Sequence, residues 1–327
     1  MNLAIKTENL KRVFRTKKEA DVVALAGVDV EIRPGELFGV LGPNGAGKTT
    51  LIKILCTLLL PSSGKAFVDG IDVALAPDEV RKRINMVSGG EHSGYGILNV
   101  RENLWMFSQL YGVPTKIALE RIDFMIKKFG LAEFAKTKVG KLSTGMRQKM
   151  NIIRGFVPDP KILFLDEPTL GLDVQIAREV RTFIRDWMKE KKERTILLTT
   201  HYMAEADELC DRVAIIDKGL VLVCDTPANL KRQLQQDAIY QLDVDLLTDH
   251  IEKFSEIPEV VNFAFEHKPV ESKTVLKIIL RDEAGISKVT KLIESSGSRI
   301  RSLSKREPSL EDVFVSLVGR GLGENGA

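Results

Sequence analysis

Nine consecutive residues, Gly42-Pro43-Asn44-Gly45-Ala46-Gly47-Lys48-Thr49-Thr50, constrain this chain more than any other stretch. They fit the pattern G-x-x-x-x-G-K-[ST]. The apolar run Leu37-Phe38-Gly39-Val40-Leu41 before them reads as a short buried strand. The run Leu51-Ile52-Lys53-Ile54-Leu55 after them continues as a helix. A strand, a glycine loop and a helix N-terminus in that order make an anion site. The glycines let the backbone turn its N–H groups towards a β-phosphate, an approach that side chains would block. Lys48 supplies a mobile cation for the β- and γ-phosphates, and the Thr49 hydroxyl is placed to hold Mg²⁺. The stretch is a nucleoside-triphosphate site.

With 327 residues the chain is too long for one average domain, and two domains are expected. Apolar residues at 44% and charged residues at 28% describe a soluble globular protein. Lys+Arg 48 against Asp+Glu 45 leaves +3, too weak a bias to argue for nucleic acid. Residues 1–18 are mixed and charged, unlike a secretion leader. No run approaches the roughly 18 apolar residues of a membrane-spanning helix. Cys56, Cys210 and Cys224 are far apart, lack metal spacing, and read as buried thiols of a reducing compartment.

Residues 3–10 and 22–33 alternate as strands, and 65–68 run into a turn at Asp69-Gly70. From about 99 the pattern turns helical, with successive helices in ENLWMFSQLYG, IALERIDFMIKKFG and LAEFAK. Short apolar strands then alternate with helices: strand 161–165, helix 174–190, strand 195–199, helix 203–209, strand 212–216. That alternation argues a buried, mostly parallel α/β sheet. A helix over 228–235 closes this first domain, placed at 1–235 with a helical subdomain at about 99–155. Residues 236–327 read as strand 238–245, helix 247–256, strands 259–266 and 273–281, helix 284–296, strand 298–305 and a last helix from Ser309. The order is that of a small α+β, ferredoxin-like split-βαβ unit.

One glycine loop does not separate kinases, GTPases and transport ATPases, so its companions decide. The strand KILFL ends in Asp166-Glu167. An Asp there sits beside the phosphate loop and holds Mg²⁺, and a Glu next to it can orient and deprotonate an attacking water. The strand TILLTT ends in His201, on the carboxyl edge where such sheets bind ligand. Its imidazole can reach the γ-phosphate.

Leu142-Ser143-Thr144-Gly145-Met146-Arg147-Gln148 resembles the LSGGQ-type signature of ATP-binding cassette proteins. With the phosphate loop, Asp166-Glu167, Gly171-Leu172-Asp173 and His201 in order, the resemblance covers residues 1 to about 230. The variant signature and Leu310-Glu311-Asp312-Val313-Phe314 resemble bacterial and archaeal drug-, sodium- and antibiotic-efflux ATPase subunits.

The resemblance implies a P-loop ATPase that hydrolyses ATP with Mg²⁺, with Lys48, Glu167 and His201 catalytic. It implies a second cassette subunit closing head to tail, a homodimer by preference. Ser143 and the Gly145 N–H would meet the γ-phosphate bound opposite, while Asp173 faces the partner site. Phe14 takes the place of the aromatic residue that stacks on adenine. A separate membrane permease, export, and a place at the cytoplasmic face of the cell membrane follow from the same likeness. Two rivals are a cassette acting on translation or nucleic acid and a non-catalytic regulatory module. The first would carry two cassettes or long coiled coils, and the second would be expected to have lost Glu167 or Ser143.

The family places a Gln after the strand ending Ile84-Asn85-Met86-Val87, as a Mg²⁺ ligand and a link to the helical subdomain. Here the chain reads Ser88-Gly89-Gly90-Glu91-His92. Glu91 can serve as the metal ligand instead, a carboxylate being a good hard donor; it reads equally well as an exposed loop acid.

Overall fold

The computed structural model describes residues 3–15, 20–89, 94–234, 237–247 and 251–318. The chain divides into two compact units, Met1–His201 with Leu209–Val221, and Tyr202–Glu208 with Leu222–Ala327.

The first unit opens with β1 (Ile5–Phe14) and β2 (Val22–Ile32), paired antiparallel. β1 runs past residue 10, where the alternation weakens, because its ladder with β2 continues to Phe14↔Val22. Then come β3 (Leu37–Leu41), α1 (Lys48–Leu55), β4 (Ser63–Val68), β5 (Ile71–Asp72), α2 (Pro77–Arg81) and β6 (Ile84–Ser88). The helical stretch holds α3 (Val100–Leu110), α4 (Thr115–Lys128) and α5 (Thr144–Phe156). LAEFAK, expected as a helix, makes a single 3₁₀ turn at Ala132–Phe134. An Asn99–Glu102 capping box satisfies two orphan donors at the start of α3. After these come β7 (Ile162–Asp166), α6 (Val174–Glu190), β8 (Thr195–Thr200) and β9 (Arg212–Asp217), while most of α7 (Met203–Leu209) and of β10 (Leu220–Asp225) falls in the second unit.

Two sheets form the first unit. One is antiparallel in the order β2-β1-β4-β5. The other contains the run β9-β3-β8-β7-β6, in which each neighbouring pair is parallel. Every residue of β3, β7 and β8 is buried. That is the signature of parallel strands covered on both faces, and it explains why they read as unbroken apolar runs. Phe129, Phe156, Phe183 and Trp187 interlock edge to face with centroids 4.8 to 5.0 Å apart, tying α4, α5 and α6 together. Because the strands are parallel, the residues that follow β3, β6, β7 and β8 leave the sheet at one edge.

The second unit continues with α8 (Pro227–Arg232), β11 (Ala238–Asp245), β12 (Val260–Lys268), β13 (Lys273–Leu280), α9 (Ile286–Ser295), β14 (Ile300–Arg306) and α10 (Leu310–Val318). Its sheet order β12-β13-β11-β14, antiparallel throughout, is the split-βαβ arrangement. Ala238, Tyr240, Leu242 and Val244 alternate into a core closed by Val289 and Ile293 of α9. The expected helix over 247–256 is corrected. Its described part is a 3₁₀ turn at Ile251–Glu256, residues 248–250 lying outside the described residues. Leu247 is still held to the sheet, its N–H donating to Thr274 Oγ1 at 3.0 Å, which shortens the crossover. Phe254 fills the space, 1% exposed and edge-on to Phe263.

The last helix is capped reciprocally. Asp312 N–H donates to Ser309 Oγ, while Ser309 N–H and Oγ donate to Asp312 Oδ2 at 2.8 and 2.6 Å. Arg306 pairs with the other oxygen of this buried carboxylate at 3.2 Å. Asp312 of the LEDVF stretch is thus a helix anchor. Among the described residues no helix is long and apolar enough to cross a membrane. Cys56 and Cys210 are buried as expected, whereas Cys224 is half-buried.

Candidate active site

α1 begins with no side-chain cap and no acidic residue in its first turn. Its first N–H groups are left for another acceptor, and they face a cleft of about 290 Å³. Asn44, Gly45, Gly47, Lys48, Thr49 and Thr50 line one side of it. Gly47 has φ 107, and a Cβ there would stand 2.4 Å from the Ala24 carbonyl oxygen. The loop therefore closes under β2 only with glycine at this position. Gly42 and Ala46 are buried at the back of the loop and Pro43 is half-buried, with Ala46 N–H donating to Pro43 O at 3.2 Å.

Lys48 is 5% exposed and fully engaged. Its Nζ donates to Gly42 O at 2.8 Å and Pro43 O at 3.0 Å, and lies 3.4 Å from Glu167 Oε1. Burial pulls its ammonium below the usual lysine range, against the opposing pull of Glu167 and Asp166. Behind α1, burial first and then the Asp166 charge push the Cys56 thiol well up, which makes it an inert core residue.

Asp166 closes β7 and Glu167 turns out of it. Asp166 Oδ1 accepts from Thr49 Oγ1 at 3.3 Å and from the buried Thr199 hydroxyl on neighbouring β8. Glu167 has φ 49, in the left-handed region. Its N–H is held by Thr199 O at 3.0 Å and Thr199 Oγ1 at 3.3 Å. Its two carboxylate oxygens are taken from opposite sides, Oε1 by Lys48 and Oε2 by His201 Nδ1 at 3.1 Å. The carboxylate thus sits between the cation of the phosphate loop and an imidazole at the end of β8.

Phe14 forms the other end of the cleft, with Val22, Val23 and Ala24 of β2. It is 37% exposed, so a ring face is open. The Arg12 guanidinium packs on the ring 4.6 Å from its centre while donating to Leu60 O at 2.9 Å. Ser143, Gly145 and Asp173 are not brought into this cleft. Ser143 caps α5, accepting from Met146 N–H at 3.3 Å, and Gly145 lies in the first turn of that helix. Asp173 caps α6, accepting from Ile176 N–H at 2.9 Å. Glu91 lies outside the described residues.

The oxygen donors fit a magnesium ion carried in by phosphates. Thr49 Oγ1 and Asp166 Oδ1 are adjacent, and among the described residues no cluster of three or more His, Cys, Asp or Glu forms a metal cage. Magnesium is typically held through one or two carboxylates plus substrate phosphates. Thr199, Val22 and Val23 were missed in the sequence. Thr199 reads there as the end of an apolar strand, and the two valines as ordinary strand residues; their exposure of 54% and 52% marks them only once the fold is known.

The profile of the family described as ABC transporter matches residues 25–170, and that of "ATP-binding protein DrrA1-3-like, C-terminal domain" matches 226–318. The chain is 35% identical over 324 residues to the daunorubicin resistance ATP-binding protein DrrA2 of Streptomyces coeruleorubidus, covering 97% of this chain and 95% of that protein. It is 42% identical over 211 residues to the ABC transporter ATP-binding protein NatA of Bacillus subtilis, covering 64% of this chain and 85% of that one. The dimeric post-hydrolysis structure of the ATP-binding cassette MJ0796, bound to ADP and Pi, superposes with a TM-score of 0.62 at 25% identity. It covers 68% of this chain and 98% of the other.

Proposed function

The chain belongs to the ABC transporter family of ATP-binding proteins, and from that premise we propose that it powers a separate membrane permease, at the cytoplasmic face of the membrane, as an exporter. It binds ATP and is the ATP-hydrolysing subunit of an ABC transporter, rather than a cassette acting on translation or nucleic acid. ABC cassettes form dimers. For this chain the pairing is a head-to-tail homodimer in which Ser143, Gly145 and Asp173 of one copy complete the site of the other. Their positions at the N-termini of α5 and α6, away from the cleft of their own chain, support this. Residues 1–235 carry the nucleotide chemistry and 236–327 an accessory role.

The observation that carries the chemistry is Glu167 held between Lys48 and His201. Adenine stacks on Phe14, and the phosphates lie along the loop and the N-terminus of α1. A γ-phosphate draws the Lys48 ammonium towards itself, which releases Oε1 of Glu167 for a water. Glu167 takes the proton of that water as its oxygen attacks the γ-phosphorus, and His201 keeps the carboxylate aimed through Oε2. The bond from that phosphorus to the β–γ bridging oxygen breaks, and ADP leaves with that oxygen. Thr49 and Asp166 would hold Mg²⁺, which supplies charge neutralisation at the phosphates.

Glu167→Gln removes the base and leaves the cleft intact. Turnover falls by about 10²–10⁴-fold while ATP binding and ATP-dependent dimerisation persist. A variant that hydrolyses ATP at the parent rate would remove Glu167 from the chemistry. For the transport assignment, the tagged full chain is recovered from gently solubilised membranes. A stoichiometric multi-spanning protein without its own cassette is expected, and recovery without any membrane protein would overturn the permease reading.

A further inference from the structure

The base of this site leans on a residue that no chemistry singles out. β6 ends at Ser88, level with Asp166 on β7. The next residue, Gly89, donates its N–H to the Asp166 carbonyl at 2.7 Å. A Cβ added to Gly89 would stand 2.0 Å from the Glu167 carbonyl oxygen, 3.0 Å from its carbonyl carbon and 3.3 Å from Asp166 O. All three are main-chain atoms and cannot swing aside. The restriction on residue 89 is this contact.

Glu167 needs such support. A non-glycine residue at φ 49 persists only where its surroundings hold it. Thr199 grips its N–H from the β8 side, through the carbonyl and the hydroxyl. Gly89 abuts its carbonyl from the β6 side. The left-handed turn that aims the carboxylate at Lys48 and His201 is therefore clamped between two strands.

We propose that Gly89 is a positioning residue for Glu167, setting its turn by main-chain contact from the end of β6. The side-chain link expected from a Gln in this segment is replaced by a backbone link at Gly89. The left-handed Glu167 leaves no room there for any side chain. This rests on the reading of Glu167 as the base.

The test is Gly89→Ala in the full chain, beside Glu167→Gln and the parent, with steady-state turnover and binding of a fluorescent ATP analogue measured on each. Turnover of Gly89→Ala falls at least about tenfold with nucleotide affinity within about twofold, as displacement of a reacting group does. Turnover within about twofold of the parent overturns the proposal. So does a fall in affinity matching the fall in turnover, since that places the effect on binding. Parent-like hydrolysis by Glu167→Gln would instead sink the reading of the base, whatever Gly89→Ala does. If Gly89→Ala does not fold, residue-resolved hydrogen exchange on the parent decides. Slow exchange at both the Gly89 and Glu167 amides supports the clamp, and a Gly89 amide exchanging at the unprotected rate refutes it.

Discussion

Replacing Thr199 by valine removes one oxygen from a site that no motif marks. The Thr199 hydroxyl is fully buried, donates to Asp166 Oδ1 and lies 3.3 Å from Glu167 N. Losing a hydrogen bond to a charged acceptor costs about 1.5–3 kcal/mol. The added methyl returns about 0.8 kcal/mol of apolar burial, so the first unit loses about 1–2 kcal/mol. With a urea dependence of about 2–3 kcal/mol/M, its midpoint falls by about 0.3–1 M. The Asp166 carboxylate would then be held by Thr49 without its β8 hydroxyl anchor, and the Glu167 N–H would keep only the Thr199 carbonyl as its acceptor. Turnover drops about tenfold or more with ATP affinity little changed. Thr199→Ser, which keeps the oxygen and loses a methyl, retains most of the turnover while losing some stability. Urea titration followed by tryptophan fluorescence, beside a phosphate-release assay, reads both quantities. A valine variant within about 0.3 kcal/mol of the parent with unchanged turnover would refute the clamp.

Two further outcomes follow from polar groups outside the cleft. Burial raises the Asp159 carboxyl, but Lys191 and Arg194 outweigh it and hold the group below the usual Asp range. A depressed folded value contributes stability above the unfolded pKa of about 3.9, lost as pH falls through the folded value. Asp159→Asn therefore flattens the acid limb of stability below about pH 4, seen in urea midpoints from pH 3 to 7; an unchanged limb would dismiss the network. In the second unit Ser309→Ala removes the acceptor of the Asp312 N–H and the hydroxyl donor to Asp312 Oδ2, while the Ser309 N–H still donates, costing about 0.5–2 kcal/mol. ATP turnover stays at the parent value in that variant, and a lower turnover would show that α10 bears on the nucleotide site.

What could be read in advance was whatever lies contiguous in the chain. The phosphate loop, Asp166-Glu167 and the capped start of α5 announce themselves because strand, turn and helix succeed one another locally. The strands β3, β7 and β8 were legible from their unbroken apolar runs. Thr199 and Gly89 were not, since each matters through which strand lies beside which. Sequence spacing does not state that β7 lies between β6 and β8. The helix expected over 247–256 failed for a related reason. Its apolar positions suit a helix, yet Thr274, on a strand that comes later in the chain, holds Leu247 at the sheet.

The strand order also sets a schedule for the growing polypeptide. β3, which carries the phosphate loop, pairs with β8 and β9, both made more than 150 residues later. At about 5–20 residues per second the ribosome needs on the order of ten to thirty seconds to supply them. Until then β3 has neither lateral neighbour, and the apolar run Leu37-Phe38-Gly39-Val40-Leu41 is exposed to whatever meets the nascent chain. The nucleotide pocket is therefore among the last parts of the first unit to assemble, although its sequence is among the first translated.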